Sequence, residues 1–257
     1  MSLRLIDTHC HLDLDPIRSN LPSLLKAAES VGVHGFVVPG LNPEGWQGIS
    51  SLAAEYPMVF PAYGIHPMYA DLVTDQTLDD LSIIAGDGFA LGETGLDPAF
   101  KIPILKQEQV FREQIRIALK LDIPLLVHCR KLFAQTLKIM GEEGASKVGG
   151  IMHAYSGSVE TAREFIRMGF TISLSGSVTL KNAVKPLRLA KELPMESMVF
   201  ETDAPYMTPE LFHGKYNKPE WIMETVLLVA ALRGVEPETI AEITTANANR
   251  ILRLNGL

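Results

Sequence analysis

Eight short apolar, β-rich runs alternate with amphipathic stretches along the whole chain, and this alternation restricts the fold more than any other feature. The runs are Leu3–Asp7, Gly35–Pro39, Val59–Gly64, Phe89–Glu93, Pro124–His128, Gly150–His153, Thr171–Leu174 and Met198–Glu201. Between them the apolar spacing is helical. Ile104 to Leu121 puts Phe111, Ile115 and Ala118 on one face, and Pro219 to Arg233 starts on a first-turn proline and is followed by Gly234. Strands separated by helices pair in parallel, so eight such units in 257 residues predict one α/β domain over residues 1–257, a single (β/α)8 TIM barrel. A doubly wound sheet is the alternative, but no glycine-rich phosphate fingerprint follows the first run. Pro237–Leu254 reads as a helix closing the barrel. Thr208–Lys218, rich in Pro, His, Gly and Lys, reads as a long loop over its mouth.

The polar residues fall in a pattern that scatter does not produce. Of seven histidines, five (His9, His11, His66, His128 and His153) sit at or just past the ends of the apolar runs, as do Glu93, Glu201 and Asp203. In a (β/α)8 barrel the C-terminal strand ends converge on one mouth, which gathers residues distant in sequence. His9 and His11 are two apart, so both rings face the same side. A carboxylate at Glu93, ending an apolar run, is costly unless it is paired or binds a metal, and its two oxygens can bridge two cations. Arg130 or Lys101 could pair with it instead, and two histidines after a strand can simply lie on a surface. His128 and His153 at the ends of successive runs tip the balance towards ligation. Asp203 is placed to be both a ligand and a proton acceptor, and Glu201, on the same side by alternation, to orient a ligand histidine.

His9, His11, Glu93, His128, His153 and Asp203 therefore form a candidate ligand set of nitrogen and oxygen donors without thiolate, suited to Zn, Mn, Fe or Mg. Two divalent ions about 3.5–4 Å apart would clamp the attacking and leaving oxygens of a displacement, and would lower the pKa of a bound water from about 15.7 towards about 7. Catalysis is then expected from Asp203 and Glu93.

Composition narrows the setting. The chain is 47% hydrophobic, enough for a sizeable core, yet no apolar run approaches the roughly 20 residues of a membrane helix. The first residues enter a strand-like segment with no signal-peptide character, so a cytoplasmic location is expected. By alternation Cys10 and Cys129 should point away from their neighbouring histidines, on strands across the barrel from each other, which makes a disulfide between them geometrically improbable. A net charge of −7 argues against a protein that coats nucleic acid, without excluding a basic patch beside a site. No protein partner is evident.

In order, Asp7-Thr-His-Cys-His-Leu-Asp13, Gly64-Ile-His-Pro67, Gly92-Glu-Thr-Gly-Leu-Asp97, His128-Cys-Arg130, His153-Ala-Tyr-Ser-Gly157 and Glu201-Thr-Asp-Ala-Pro-Tyr206 resemble the motifs of the TatD family of metal-dependent deoxyribonucleases, a branch of the metal-dependent hydrolase superfamily. Asn249-Arg-Ile-Leu252 is similar to the family's closing helix. The resemblance implies one metal on His9, His11, Glu93 and Asp203, and a second on Glu93, His128 and His153. It also implies hydrolysis of DNA phosphodiester bonds by metal-activated hydroxide, with Asp203 accepting the proton and His66 and Arg130 contacting phosphate. Lys131, Lys181, Lys185 and Lys218 are candidate backbone contacts, although a surface lysine is more often simply solvated. Three positions depart from the family pattern. Pro98 stands where an aromatic usually follows Gly-Leu-Asp, with Phe100 two residues on; Lys131 replaces a common acid; and Tyr216-Asn-Lys-Pro219 replaces Arg-Asn-Glu-Pro. All three bear on the substrate and none removes a ligand. A small ester, lactone or amide is therefore the alternative substrate, and a non-catalytic metal-binding barrel the third reading.

Overall fold

A computed structural model describes residues 3–254, with eight parallel strands ordered β1 to β8 as in the chain. They are β1 Leu5–Asp7, β2 Val33–Pro39, β3 Val59–Tyr63, β4 Ala90–Leu96, β5 Leu125–Cys129, β6 Gly150–Met152, β7 Phe170–Leu174 and β8 Met198–Phe200. Helices α1 Leu21–Ser30, α2 Pro43–Glu55, α3 Asp75–Ile84, α4 Ile104–Leu121, α5 Phe133–Glu143, α6 Val159–Arg167, α7 Val184–Glu192 and α8 Ile222–Arg233 follow successive strands, and α9 Pro237–Leu252 ends the described chain. Backbone bonds join the first and last strands: Thr8 N–H donates to the Phe200 carbonyl at 3.1 Å, and Asp203 N–H to the His9 carbonyl at 2.8 Å. The result is the (β/α)8 barrel.

Local chemistry sets the helix ends. Asn42 caps α2 by accepting from Gly45 N–H, Thr74 and Thr77 form a capping box on α3, and Ser158 caps α6 through Thr161 N–H. Gly234 ends α8 in the left-handed conformation, where a side chain would be strained. Pro219–Trp221 form a short 3-10 turn ahead of α8, so the α-helix starts three residues later than the proline suggested.

Two apolar layers result from strands buried on both faces. Ile6, Val37, Phe60, Leu126, Ile151 and Val199 fill the barrel, and Ala248, Leu252 and Leu254 pack against them. The outward strand faces pack under the helices, and the free Cys10 and Cys129 are buried in that outer layer. Helix α9 covers the N-terminal ends of the strands. Asn247 Nδ2 donates to the Met195 and Met198 carbonyls at 2.8 Å each, Thr245 to the Arg4 carbonyl at 2.7 Å, and the Arg253 guanidinium meets the Asp122 carboxylate. Burying Leu252 there contributes roughly 1.5–3 kcal/mol. One end of the barrel is thus closed by this helix, and functional groups collect at the other. No helix among the described residues is long and apolar enough to cross a membrane.

Strand β4 differs most from the reading of its sequence, running on to Leu96 instead of stopping at Glu93. Glycines usually count against a strand. Here Gly92 and Gly95 let the backbones of β4 and β5 come together, since a Cβ on either would collide with Leu126 or with the His128 carbonyl.

Candidate metal centre

Glu93 is the hub. Its side chain, 4% exposed, projects from β4 into five imidazoles, and its two oxygens face different groups. Oε2 lies 3.2 Å from His9 Nε2 and 3.9 Å from His11 Nε2, both just past β1. Oε1 lies 2.8 Å from His128 Nδ1, 3.6 Å from His153 Nε2 and 3.6 Å from His66 Nε2. Asp203 approaches from the other side, with Oδ1 at 3.4 Å from His11 Nε2 and 3.8 Å from His9 Nε2, and Oδ2 at 4.0 Å from His153 Nε2. All six expected ligands therefore converge on one volume at the C-terminal end of the barrel.

These residues fit divalent ions on a structural test. His9 Nε2 and His128 Nδ1, which face the two Glu93 oxygens, are buried yet make no well-formed hydrogen bond. Buried polar nitrogens without partners are costly, and cations between these two and the carboxylates would satisfy them. Donor atoms of His9, His11 and Glu93 lie within 4.8 Å of one another, as do those of His66, Glu93 and His128. The split of Glu93's oxygens between the two groups is the geometry a bridging carboxylate needs.

Glu201 and Asp203 do not reach the cluster by strand alternation, because β8 ends at Phe200. Asp203 turns through a left-handed backbone (φ 56°), and Glu201 instead meets the far nitrogen of His153, Oε1 to Nδ1 at 3.0 Å, while accepting from Ala154 N–H at 2.8 Å. Glu201 thus sits where a carboxylate would orient the His153 ring, although its oxygen is also close enough to form a donor group with His9 and His153. The turn carrying Asp203 is held on both sides. Asp7 accepts from Thr202 N–H at 2.9 Å, and the fully buried Asn217 donates from Nδ2 to the Thr202 carbonyl at 2.8 Å.

Charge in this cluster is arranged by burial and proximity. Burial opposes ionisation of Glu93 and Asp203, but the surrounding imidazoles outweigh it and hold both below the usual carboxylate range, Glu93 far below. Burial also disfavours charge on His153 and His128. Glu201, Glu93 and Asp203 nevertheless push His153 up to about 10, and Asp97 and Glu93 push His128 up to about 9. Burial drives His66 down to about 4, so it is neutral near pH 7. Its Nδ1 accepts from Met68 N–H at 3.2 Å, which leaves the ring proton on Nε2, facing the cluster. His66 can therefore meet a ligand as a neutral donor, not as a cation.

A pH dependence follows from the raised histidines. His128 and His153 carry protons through neutral pH in the metal-free protein, and a protonated ring cannot ligate. Divalent-ion affinity should therefore rise with pH up to about 9–10, with protons released on binding. Calorimetric titration in buffers of different ionisation heat measures this. Pure hydration heats with no proton release would contradict it.

Two cavities flank the cluster and share His128, His153 and Asp203. One, about 320 Å³, is walled by Asp97, Arg130, Ser156 and Met207. The other, about 280 Å³, is walled by Leu41, Met68, Phe100 and Tyr206. The Phe100 ring sits edge-on to His66 at 5.5 Å, so an aromatic lines this wall although Pro98 follows Asp97 directly. Of the expected phosphate contacts, Arg130 is exposed beside the first cavity and His66 lines the second. Lys181 is engaged by Glu210 at 3.2 Å, and Lys218 lies over the rings of Tyr216 and Trp221 at 5.7 and 5.5 Å. Lys131 and Lys185 are exposed.

Two residues escaped the sequence reading of the site. Asp97 Oδ2 is 3.0 Å from His128 Nε2, and Glu93, Gly95 and Asp97 share the same alternation that pairs His9 with His11, so the signal was present. Asn217 is buried and structural, and nothing local to its loop announces that.

A parallel barrel whose mouth gathers histidines and buried carboxylates in this way defines a metal-dependent hydrolase. The chain belongs to the TatD family: the family model for TatD-related DNase matches residues 6–253. It is 37% identical to the uncharacterized metal-dependent hydrolase YabD of Bacillus subtilis, over 98% of this chain and 100% of that one. It is 32% identical to the uncharacterized metal-dependent hydrolase YcfH of Escherichia coli K12, over 98% and 96%. Its fold superposes on the crystal structure of YjjV, a TatD homologue from Escherichia coli K12, with a TM-score of 0.93 and 28% identity, covering 99% of this chain and 100% of that one.

Proposed function

We propose that this hydrolase cleaves phosphodiester bonds of DNA, working inward from a strand end, with two divalent ions held by His9, His11, Glu93, His128, His153 and Asp203. The observation that carries the reading is the pair of unlike cavities on either side of the cluster. An exposed guanidinium borders one, and apolar and aromatic side chains wall the other. A phosphate with a nucleobase beside it presents that same contrast, since guanidinium groups bind phosphate oxygens and aromatic faces stack on bases. Family membership supports the same substrate class.

Divalent ions such as zinc, manganese or magnesium would polarise a phosphoryl oxygen and make hydroxide available near neutral pH. The protein's own groups do the rest. Arg130 holds a phosphate oxygen in the first cavity, and His66 donates from Nε2 to a second oxygen. Asp203, kept ionised by its histidine neighbours, receives the proton of the attacking water on a carboxylate oxygen. Phe100 and the exposed Tyr206 wall the space for a base. Glu201 keeps the His153 ring turned so that Nε2 faces the cluster.

The test is a substrate panel for the metal-loaded protein: labelled single- and double-stranded DNA with free and blocked ends, alongside esters, lactones and amides. Release of mononucleotides from DNA with free ends, abolished by blocking them, is the expected outcome. Turnover of a lactone or ester with intact DNA would replace the nuclease reading by the small-substrate one. Silence across the panel would leave a metal-binding barrel without catalysis.

A further inference from the structure

Among the six expected ligands, His128 is the ring that packing holds least. Its side chain is 20% exposed, against 1% for His9, 3% for His11 and 4% for His153. It is also the one whose far nitrogen makes a well-formed hydrogen bond to a carboxylate, Nε2 to Asp97 Oδ2 at 3.0 Å. That carboxylate is itself fixed. Asp97 Oδ1 accepts from Ala99 N–H at 2.8 Å, which sets the rotation of the group. The backbone beneath it is clamped from α4 by Gln107, a buried amide with three bonds. Its Oε1 accepts from Asp97 N–H at 2.9 Å, and its Nε2 donates to the Asp97 and Ile102 carbonyls at 3.0 Å each. The chain from α4 through Asp97 ends on the ring whose other nitrogen, Nδ1, lies 2.8 Å from Glu93 Oε1.

An imidazole has one proton to place when neutral, and a carboxylate at one nitrogen fixes it there, leaving a lone pair on the other. His153 has its carboxylate, Glu201, at Nδ1 and turns Nε2 inward; His128 has Asp97 at Nε2 and turns Nδ1 inward. The two rings therefore present opposite nitrogens, and no single backbone preference explains both. We propose that Asp97, clamped by Gln107, is a positioning residue that fixes the tautomer and rotation of His128 so that Nδ1 is the atom offered to a divalent ion. The inference rests on the metal-site reading above, and goes beyond it in assigning the group that orients His128.

The experiment uses the full chain in six forms: wild type, Asp97→Ala, Asp97→Asn, Gln107→Ala, His128→Gln and the double variant His128→Gln with Asp97→Ala. Manganese binding is followed by titration, and the 15N shifts of the histidine rings are read in alkaline solution, where the ring is neutral. Asp97→Ala is expected to weaken one manganese site about 10–100-fold and to shift His128 from the Nε2–H form to a mixture. Asp97→Asn keeps an oxygen acceptor and should recover most of the tautomer with only part of the affinity. Gln107→Ala should give a smaller shift of the same sign. In a His128→Gln background, Asp97→Ala should weaken manganese binding no further, which a general loss of structure would not spare. Unchanged ring shifts in a folded Asp97→Ala variant would overturn the proposal, whatever the metal does. If the wild type binds no divalent ion, the metal-site reading fails on that arm, and the ring shifts alone decide whether Asp97 sets the tautomer.

Discussion

Asp203→Asn should lower kcat by about 10³-fold or more, since a positioned general base contributes on the order of 10²–10⁴ and this residue is assigned ligation as well. The substitution preserves shape. It removes the charge that faces His11 and His9 from Oδ1 and His153 from Oδ2, and with it the atom that takes up the proton. The backbone at this position is anchored through groups the side chain does not supply: Asp203 N–H on the His9 carbonyl, and the flanking Thr202 on Asp7 and Asn217. The fold should therefore survive, and circular dichroism should show little change. Steady-state kinetics at saturating metal measures the effect. Turnover within a few-fold of wild type would remove Asp203 from both roles.

The second large effect is at Glu93, where Glu93→Ala should lower the number of divalent ions bound per chain and abolish activity. One carboxylate faces both donor groups, so its loss weakens both sites at once, which removal of a single histidine would not do. Elemental analysis after gel filtration gives the count; an unchanged count would end the bridging role. The metal-free variant should also be less stable than metal-free wild type. Breaking a buried ion pair costs roughly 3–5 kcal/mol when the partner charge is stranded. His128 and His153 can shed their protons once the carboxylate is gone, so the loss should fall below that range.

Much of this arrangement was legible before any coordinates, and the reason is the barrel itself. A strand with a period of two, ending at a shared mouth, turns sequence positions such as His9, His11, His128 and His153 into neighbours without further information. Legibility failed where the backbone left that regularity. Gly92 and Gly95 made β4 look finished at Glu93, because the contact they permit with β5 is tertiary, and that hid Asp97 one step past the real end of the strand. Beyond β8 the chain turns through a left-handed residue, so alternation gave the right neighbours, Glu201 and Asp203, for the wrong geometric reason. Asn217 could not be distinguished from an ordinary loop polar residue, since what makes it structural is a carbonyl on another segment.

The same Asn217 has a consequence for how a substrate can enter. The loop after β8 carries its own fastenings: Asn217 on Thr202, Thr208 Oγ1 on the Lys215 carbonyl at 2.8 Å, and Phe212 stacked on Trp221 at 3.9 Å. Segments already ordered lose little conformational entropy when a ligand arrives, so affinity at this rim is not drained by the need to organise it. The corollary is geometric. A preorganised rim does not fold itself around the middle of a long polymer, so under the proposed reading a chain would have to present a free tip, and each cycle of cleavage would expose the next one.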